Sequence, residues 1–365
     1  MQMIEAPWTP TESQIVYRIQ PDEHVAQPCI VRLLDGSLII LVQQTGSGPI
    51  FIRSTDGGKT WSEPYRGILP NEVGRVSTLG IGRDGRLITV LEQASENLGT
   101  SAVKKHTVTL PNGRECLTYK GYRYSGTLRL AYSSNQGETW TMGNSVNSSP
   151  MVAAWVWVGG RILELSDGTL VVPVAGYLSD QDMDGIWLST GVILSEDNGT
   201  TWNLSVIGRG NSSDWIIFSE PAVAQLESDM LVALMRTEDR VTKRNSADSQ
   251  GNRHGLRQAR SGDGGKTWSS PVKTLEGTHC SLIQLLDGVL LCGCHRPPRL
   301  ALSADGGENW YANMLWSTED PSGNWGWYTS VEMVDETTAV AVIKQYPDKN
   351  IIRICHLHRQ PEKVI

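Results

Sequence analysis

One eight-residue pattern recurs five times along the chain and constrains its fold more than any other feature. It occupies residues 54–61, 133–140, 195–202, 261–268 and 303–310, and reads Ser, any residue, Asp or Asn, any residue, Gly, two residues, Trp. Its physics is that of a hairpin turn. The Asp or Asn side chain folds back onto the backbone, Gly takes a positive φ, and Trp packs the turn against a neighbour. The chain has 13 Trp against 2 Phe, and these turns account for five of the Trp.

A second repeat precedes each of these turns and appears once more near the end, at residues 28–43, 77–92, 160–175, 221–236, 280–295 and 328–343. Each copy is an apolar strand, a tight turn and a second apolar strand. Four of the turns are Asp-Gly (Asp35-Gly36, Asp84-Gly85, Asp167-Gly168, Asp287-Gly288), while Ser228-Asp229 and Asp335-Glu336 hold the other two. Asp-Gly between β-branched apolar runs is a strong hairpin signal.

The two repeats in phase give strand, turn, strand, loop, strand, turn, strand: one four-stranded antiparallel blade, six times over. Nearly continuous apolarity in the first two strands implies that both faces are covered, as stacked blades require. The expected fold is an all-β six-bladed propeller occupying residues 1–365 as a single domain, with strand one innermost. The sixth blade lacks the Trp-containing turn, so an N-terminal strand near residues 15–19 is expected to complete it.

Antiparallel geometry then locates a functional face. Both turns of each blade lie at one end; the loops from strand two to strand three, and the links between blades, lie at the other. Those loops range from 45–49 in blade one to a long excursion near 95–124 in blade two. Variable loops on a rigid scaffold are where binding usually resides. By repeat phase, the residues ringing this mouth are Gln27 and Gln43, Arg75 and Glu92, and Trp157 and Tyr177. The last three blades add Glu220 and Arg236, His279 with His295 and Arg296, and Tyr328 with Lys344. Convergent titratable groups in a cleft mark a candidate site.

Composition narrows the partners. Net charge is −7 without a basic cluster, which argues against nucleic acid. No run approaches the ~18 apolar residues of a spanning helix. The N-terminal residues lack the basic and apolar regions of a signal peptide, so either the protein stays in the cytoplasm or it is secreted and a leader has been removed. Four of the six Cys sit in apolar strand-like runs, and Cys292 and Cys294 are spaced as one face of a strand rather than as a zinc knuckle. Neither a metal nor a cofactor is expected.

These motifs resemble those of the sialidase superfamily over nearly the whole chain, the five Trp turns corresponding to its Asp boxes. A sharper match is Glu220-Pro221-Ala222-Val223, with Arg236 closing the following strand. The resemblance implies a Glu that polarises a tyrosine and an Arg that grips a substrate carboxylate. It likewise implies that Tyr328 is the nucleophile and that Arg296 or Arg299 is a further carboxylate-binding arginine. Tyrosine suits a sialoside, whose anomeric carbon bears a carboxylate that would repel a charged nucleophile. Arg75, His279, His295, Gln27 and Trp157 complete the expected substrate-binding set.

Two departures stand out. The family's first triad arginine is matched by Gln27, and the blade-one loop at 45–49 holds no carboxylate to act as the acid. Glu92 is the preferred replacement acid; Asp180, Asp182 and Asp184 of blade three are the alternative, or a calcium site. The leading expectation is a glycoside hydrolase acting on a terminal acidic sugar. The alternatives are a polysaccharide lyase using Tyr328, His279 or His295 on a uronate, and a non-catalytic sugar-binding propeller.

Overall fold

The computed structural model describes residues 8–11, 13–19, 25–44, 49–69, 75–76, 78–92, 104–109, 115–120, 128–156, 160–185, 187–214, 216–239, 254–295, 299–315, 327–345 and 351–360. It is a six-bladed propeller of four-stranded antiparallel sheets. Blade four shows the plan without interruption. Its inner strand Ile216–Gln225 pairs with Leu231–Asp239, which pairs with His254–Ser261, which pairs with the outer strand Val272–Glu276. Blade five repeats it with Thr278–Gln284, Leu290–His295, Arg299–Ser303 and Tyr311–Leu315.

Blade six takes its inner three strands (Trp327–Met333, Thr338–Gln345 and Ile351–Arg359) from the end of the chain. Its outer edge comes from the N-terminus, where Gln14–Arg18 pairs with Ile351–Arg359 close to the expected place. A second segment, Trp8–Pro10, extends that edge. Trp8 is fully buried, and its indole donates to Asp287 in the Asp-Gly turn of blade five.

Apolar packing closes the ring. Each of six hydrophobic clusters lies at one blade junction. Ile30 and Ile40 of blade one meet Val340 and Ile352 of blade six in the junction that joins the two chain ends. This explains why the inner strands read as nearly unbroken apolar runs: each touches a blade on both faces.

The Asp boxes behave as hydrogen-bonded modules. In the third, Ser195 Oγ donates to Asp197 Oδ1 (2.9 Å) and accepts from Gly199 N (2.8 Å), while the Trp202 indole donates to Gly199 O (3.1 Å). The fifth box differs. Gln258 of blade four enters between the two partners, accepting from the Trp310 indole and donating to Gly307 O.

Two inner strands depart from the expected repeat. In blade two the strand is split into Arg75–Val76 and Gly80–Ile81, both paired with Leu87–Glu92. In blade three it is split into Ala153–Val156 and Leu163–Glu164, both paired with Leu170–Tyr177. Tyr177 therefore lies opposite Ala153. The repeat phase at 160–175 was correct only for the turn half of that strand. An additional hairpin, Lys104–Thr109 with Glu115–Lys120, occupies the long blade-two excursion.

The turn end of the axis is crossed by Arg161 of blade three. Its guanidinium donates to the carbonyls of Ile30 (3.0 Å) and Val331 and pairs with Glu332 at 2.9 Å, so one side chain ties blades three, one and six together. The same carboxylate accepts from Arg32 N at 2.7 Å.

Candidate functional site

The mouth-facing end of the inner strand carries the same irregularity in four blades. Register shifts fall between Val25 and Pro28, Ser219 and Ala222, Thr278 and Ser281, and Trp327 and Thr329. Gln27, Glu220, His279 and Tyr328 all lie within these bulges. A bulge re-aims a side chain that a regular strand would direct into the packed interface between blades. The phase that singled these residues out in the sequence is thus a phase of backbone irregularity.

At two of the bulges the backbone is left-handed: φ is 54° at Glu220 and 49° at His279. Glu is not among the residues that favour this region, whereas His visits it more readily. Such conformations persist where surrounding contacts hold them, often at functional sites. Here the contacts are explicit. Glu220 is only 3% exposed and His279 5%. The Glu220 Oε1 atom accepts from Arg236 Nη1 at 2.7 Å and from His279 Nε2 at 2.8 Å. Oε2 accepts from the backbone N–H of His279 at 3.0 Å. The Cys280 thiol donates to the Glu220 carbonyl. The other nitrogen of the imidazole, Nδ1, pairs with Thr278 Oγ1 at 2.9 Å.

Arg236 lies on the second strand of blade four, opposite Ser219, where the register brings its side chain to the Glu220 bulge. Glu238, two residues along the same strand, approaches Arg236 Nη2 at 3.7 Å. Glu238 and Thr278 were not singled out from sequence. The period-two spacing of Arg236 and Glu238 on one strand face is the signal that could have found the former.

Electrostatics follow from this packing. Burial pushes the Glu220 carboxyl up, but the charges of His279 and Arg236 outweigh it and hold the group below its ordinary range. The carboxylate is therefore kept ionised in a nearly dry place. Burial raises the adjacent Cys280 thiol far above its ordinary value, so it is an inert neutral donor. Lys344, opposite the blade-six bulge, is half-buried, and burial pulls its ammonium down.

The remaining expected residues are placed by backbone alone or lie outside the description. Arg75 and Glu92 are register partners at the blade-two edge, as expected, and Thr278 faces His295 across blade five. The side chains of Gln27, Arg75, Glu92, His295 and Tyr328 are outside the described set, as are Trp157 and Arg296 entirely. The expected Glu220–Tyr328 contact therefore also lies outside it. Arg299 is half-buried at the start of the third strand of blade five, opposite Cys294 and Leu315. Asp180 and Asp182 open a short helix, Asp180–Gly185, just beyond the mouth end of the second strand of blade three. Among the described residues, no cluster of His, Cys, Asp and Glu has the form of a metal site.

Comparison with known proteins agrees with this architecture. The BNR repeat-like domain family matches residues 108–321, more than half of the chain, and the BNR/Asp-box repeat matches residues 52–63. A sialidase from Bacteroides fragilis is 28% identical over 320 residues, covering 78% of this chain and 52% of that protein. The chain spans about half the length of the curated relatives it matches. A protein of unknown function from Dyadobacter fermentans has a similar structure, with a TM-score of 0.72 at 19% identity, over 97% of this chain and 100% of that one. An α-L-arabinanase from Penicillium chrysogenum gives 0.69 at 13% identity, over 98% and 100%. At such identities the structural likeness speaks for the fold alone. Repeats, blades and family match converge, and the chain belongs to the BNR repeat-like domain family as a six-bladed propeller of the sialidase superfamily.

Proposed function

We propose that this protein is a glycoside hydrolase that releases a terminal acidic sugar, sialic acid or a relative, with retention of configuration. The observation that carries this reading is the buried Glu220–Arg236 pair, set on a mouth bulge that has its counterpart at Tyr328. The similarity to proteins named sialidase supports the same class of reaction.

In this mechanism Glu220 accepts the phenolic proton as Tyr328 Oη attacks the anomeric carbon. The glycosidic C–O bond breaks, and the leaving oxygen takes a proton from an acid, for which Glu92 is the proposed donor. Water then attacks the glycosyl-tyrosine, the tyrosine leaves and is reprotonated, and two inversions give net retention. Arg236, with Arg296 or Arg299, would bind the substrate carboxylate. Arg75, Gln27, Trp157 and His295 would line the subsite.

The lyase alternative needs a base with an available ring nitrogen or phenolate. His279 fits that role poorly, since Nε2 is bonded to Glu220 and Nδ1 to Thr278. The direct experiment is incubation with fluorogenic aryl glycosides of acidic and neutral sugars, with NMR of the first-formed anomer. Release of an acidic sugar as the retained anomer supports the proposal. An ultraviolet-absorbing unsaturated product would favour the lyase. No turnover of any glycoside, with binding retained, would favour a non-catalytic propeller.

A further inference from the structure

Resting on the hydrolase reading above, we propose that His279 is a positioning residue that grips both oxygens of the Glu220 carboxylate and aims it. The grip is bidentate from a single residue: the backbone N–H reaches Oε2 at 3.0 Å and the ring Nε2 reaches Oε1 at 2.8 Å. That chelation requires the main chain of His279 to face blade four, which the left-handed φ of 49° at the blade-five bulge accomplishes. The partner bulge is also left-handed, with φ of 54° at Glu220.

Five non-glycine residues in the described chain have left-handed φ: Gln136, Asn198, Glu220, Asp229 and His279. Three of these sit in turns where the matching repeats carry Gly: Gln136 and Asn198 in Asp boxes and Asp229 in the strand-one to strand-two turn. Only Glu220 and His279 lie outside any turn, and they hold each other. Strain concentrated on two residues that bond side chain to backbone across a blade junction is the signature of a preorganised group.

The imidazole has a support of its own. Thr278 Oγ1 at Nδ1 fixes the ring plane, and Thr278 itself is fully buried. Among the described residues, the charged and titratable groups around Glu220 are Arg236 and His279 at its carboxylate, Glu238 beyond Arg236, and the Cys280 thiol at its main-chain carbonyl. Arg236 sits between two carboxylates, Glu220 and Glu238, so its charge is shared. His279 reaches both oxygens of Glu220, one through its backbone N–H and one through its ring. Hydrogen bonds donated to both oxygens favour the ionised carboxylate.

The test compares wild type with His279→Asn and His279→Gln. Asn tolerates the left-handed backbone and keeps the N–H, but is too short to replace the Nε2 bond. Gln restores reach without charge. Two readouts are needed. The first is the pH titration of the Glu220 carboxyl by 13C NMR of Glu-labelled protein, assigned with Glu220→Gln. The second is kcat and KM on a fluorogenic aryl sialoside across pH.

His279→Asn should raise the Glu220 titration midpoint by about one pH unit. It should lower kcat about a hundredfold with KM nearly unchanged, and shift the acid limb of the rate profile upward by the same unit. His279→Gln should recover part of kcat but keep the raised midpoint. An unshifted Glu220 midpoint in both variants overturns the proposal, as does a wild-type pH profile and kcat in His279→Asn. If wild type turns over no glycoside, the hydrolase reading falls. The carboxylate titration then decides the role of His279 independently, and it also decides it if one variant fails to fold.

Discussion

The turn end and the mouth end of this propeller are built from the same strands, yet they use left-handed backbone differently. At the turn end it falls on glycines such as Gly36, Gly85, Gly168 and Gly288, or on short turns where Gln136, Asn198 and Asp229 replace them. There it serves only to reverse the chain, and the Asp-box Ser and Asp side chains satisfy the turn's own N–H groups. At the mouth end, left-handed Glu220 and His279 break the ladder to bring charges into contact across a blade junction. One face repeats a stable module; the other gives up regular pairing for an ion cluster across a blade junction. Substitutions at the two ends should therefore differ in what they damage.

The largest effect on stability is expected at the turn end of the axis. Arg161→Ala leaves Glu332 buried without its ion pair, and should lower the unfolding free energy by about 3–5 kcal/mol in urea titrations. A smaller loss, about 3 kcal/mol, is expected from Trp140→Ala, whose indole is 5% exposed and packs on Phe51 of the preceding blade. Loss of turnover without loss of stability in either variant would undo the division between the two ends.

Acid should also separate them. The carboxyls of Asp56 and Asp263 are held at about 2, chiefly by the Thr60 and Thr267 side chains, and that of Asp197 at about 2 chiefly by the Thr201 N–H. A depressed folded-state value adds stability above the ordinary carboxylate range and loses it as pH falls through the folded value. The Asp boxes should therefore loosen only between about pH 4 and 2. Asp197→Asn should flatten that dependence in thermal melts across pH. The smallest effect is a gain: Gln136→Gly relieves a φ of 60° in the second Asp box and should stabilise by about 1 kcal/mol with turnover unchanged.

Much of the turn end was legible in the sequence because its chemistry is local. A Ser, an Asp, a Gly and a Trp within eight residues specify the whole hydrogen-bonded module, and Asp-Gly announces the other turn. Even so, Gln258 entering the fifth box could not be read there, since it comes from another blade's third strand. The mouth was legible in position but not in geometry. Repeat phase found Glu220, Arg236 and His279, yet the bulges that carry Glu220 and His279 are features of the pairing between two strands, which no single segment specifies. In blade three the inner strand is split, and Ala153 is the residue opposite Tyr177, a register that the repeat phase did not give. Glu238 was missed because it enters the cluster through Arg236 rather than through the repeat.

The central claim is that the mouth bulges of blades four and six form a tyrosine–glutamate hydrolytic site. The most direct measurement is trapping with a fluorinated acidic-sugar fluoride, whose glycosyl-enzyme forms faster than water can cleave it, followed by peptide mass mapping. One added glycosyl group on the peptide containing Tyr328, absent in Tyr328→Phe and strongly slowed in Glu220→Gln, is the expected result. A label on another residue, or none from an enzyme that still hydrolyses an aryl glycoside of the same sugar, would contradict it.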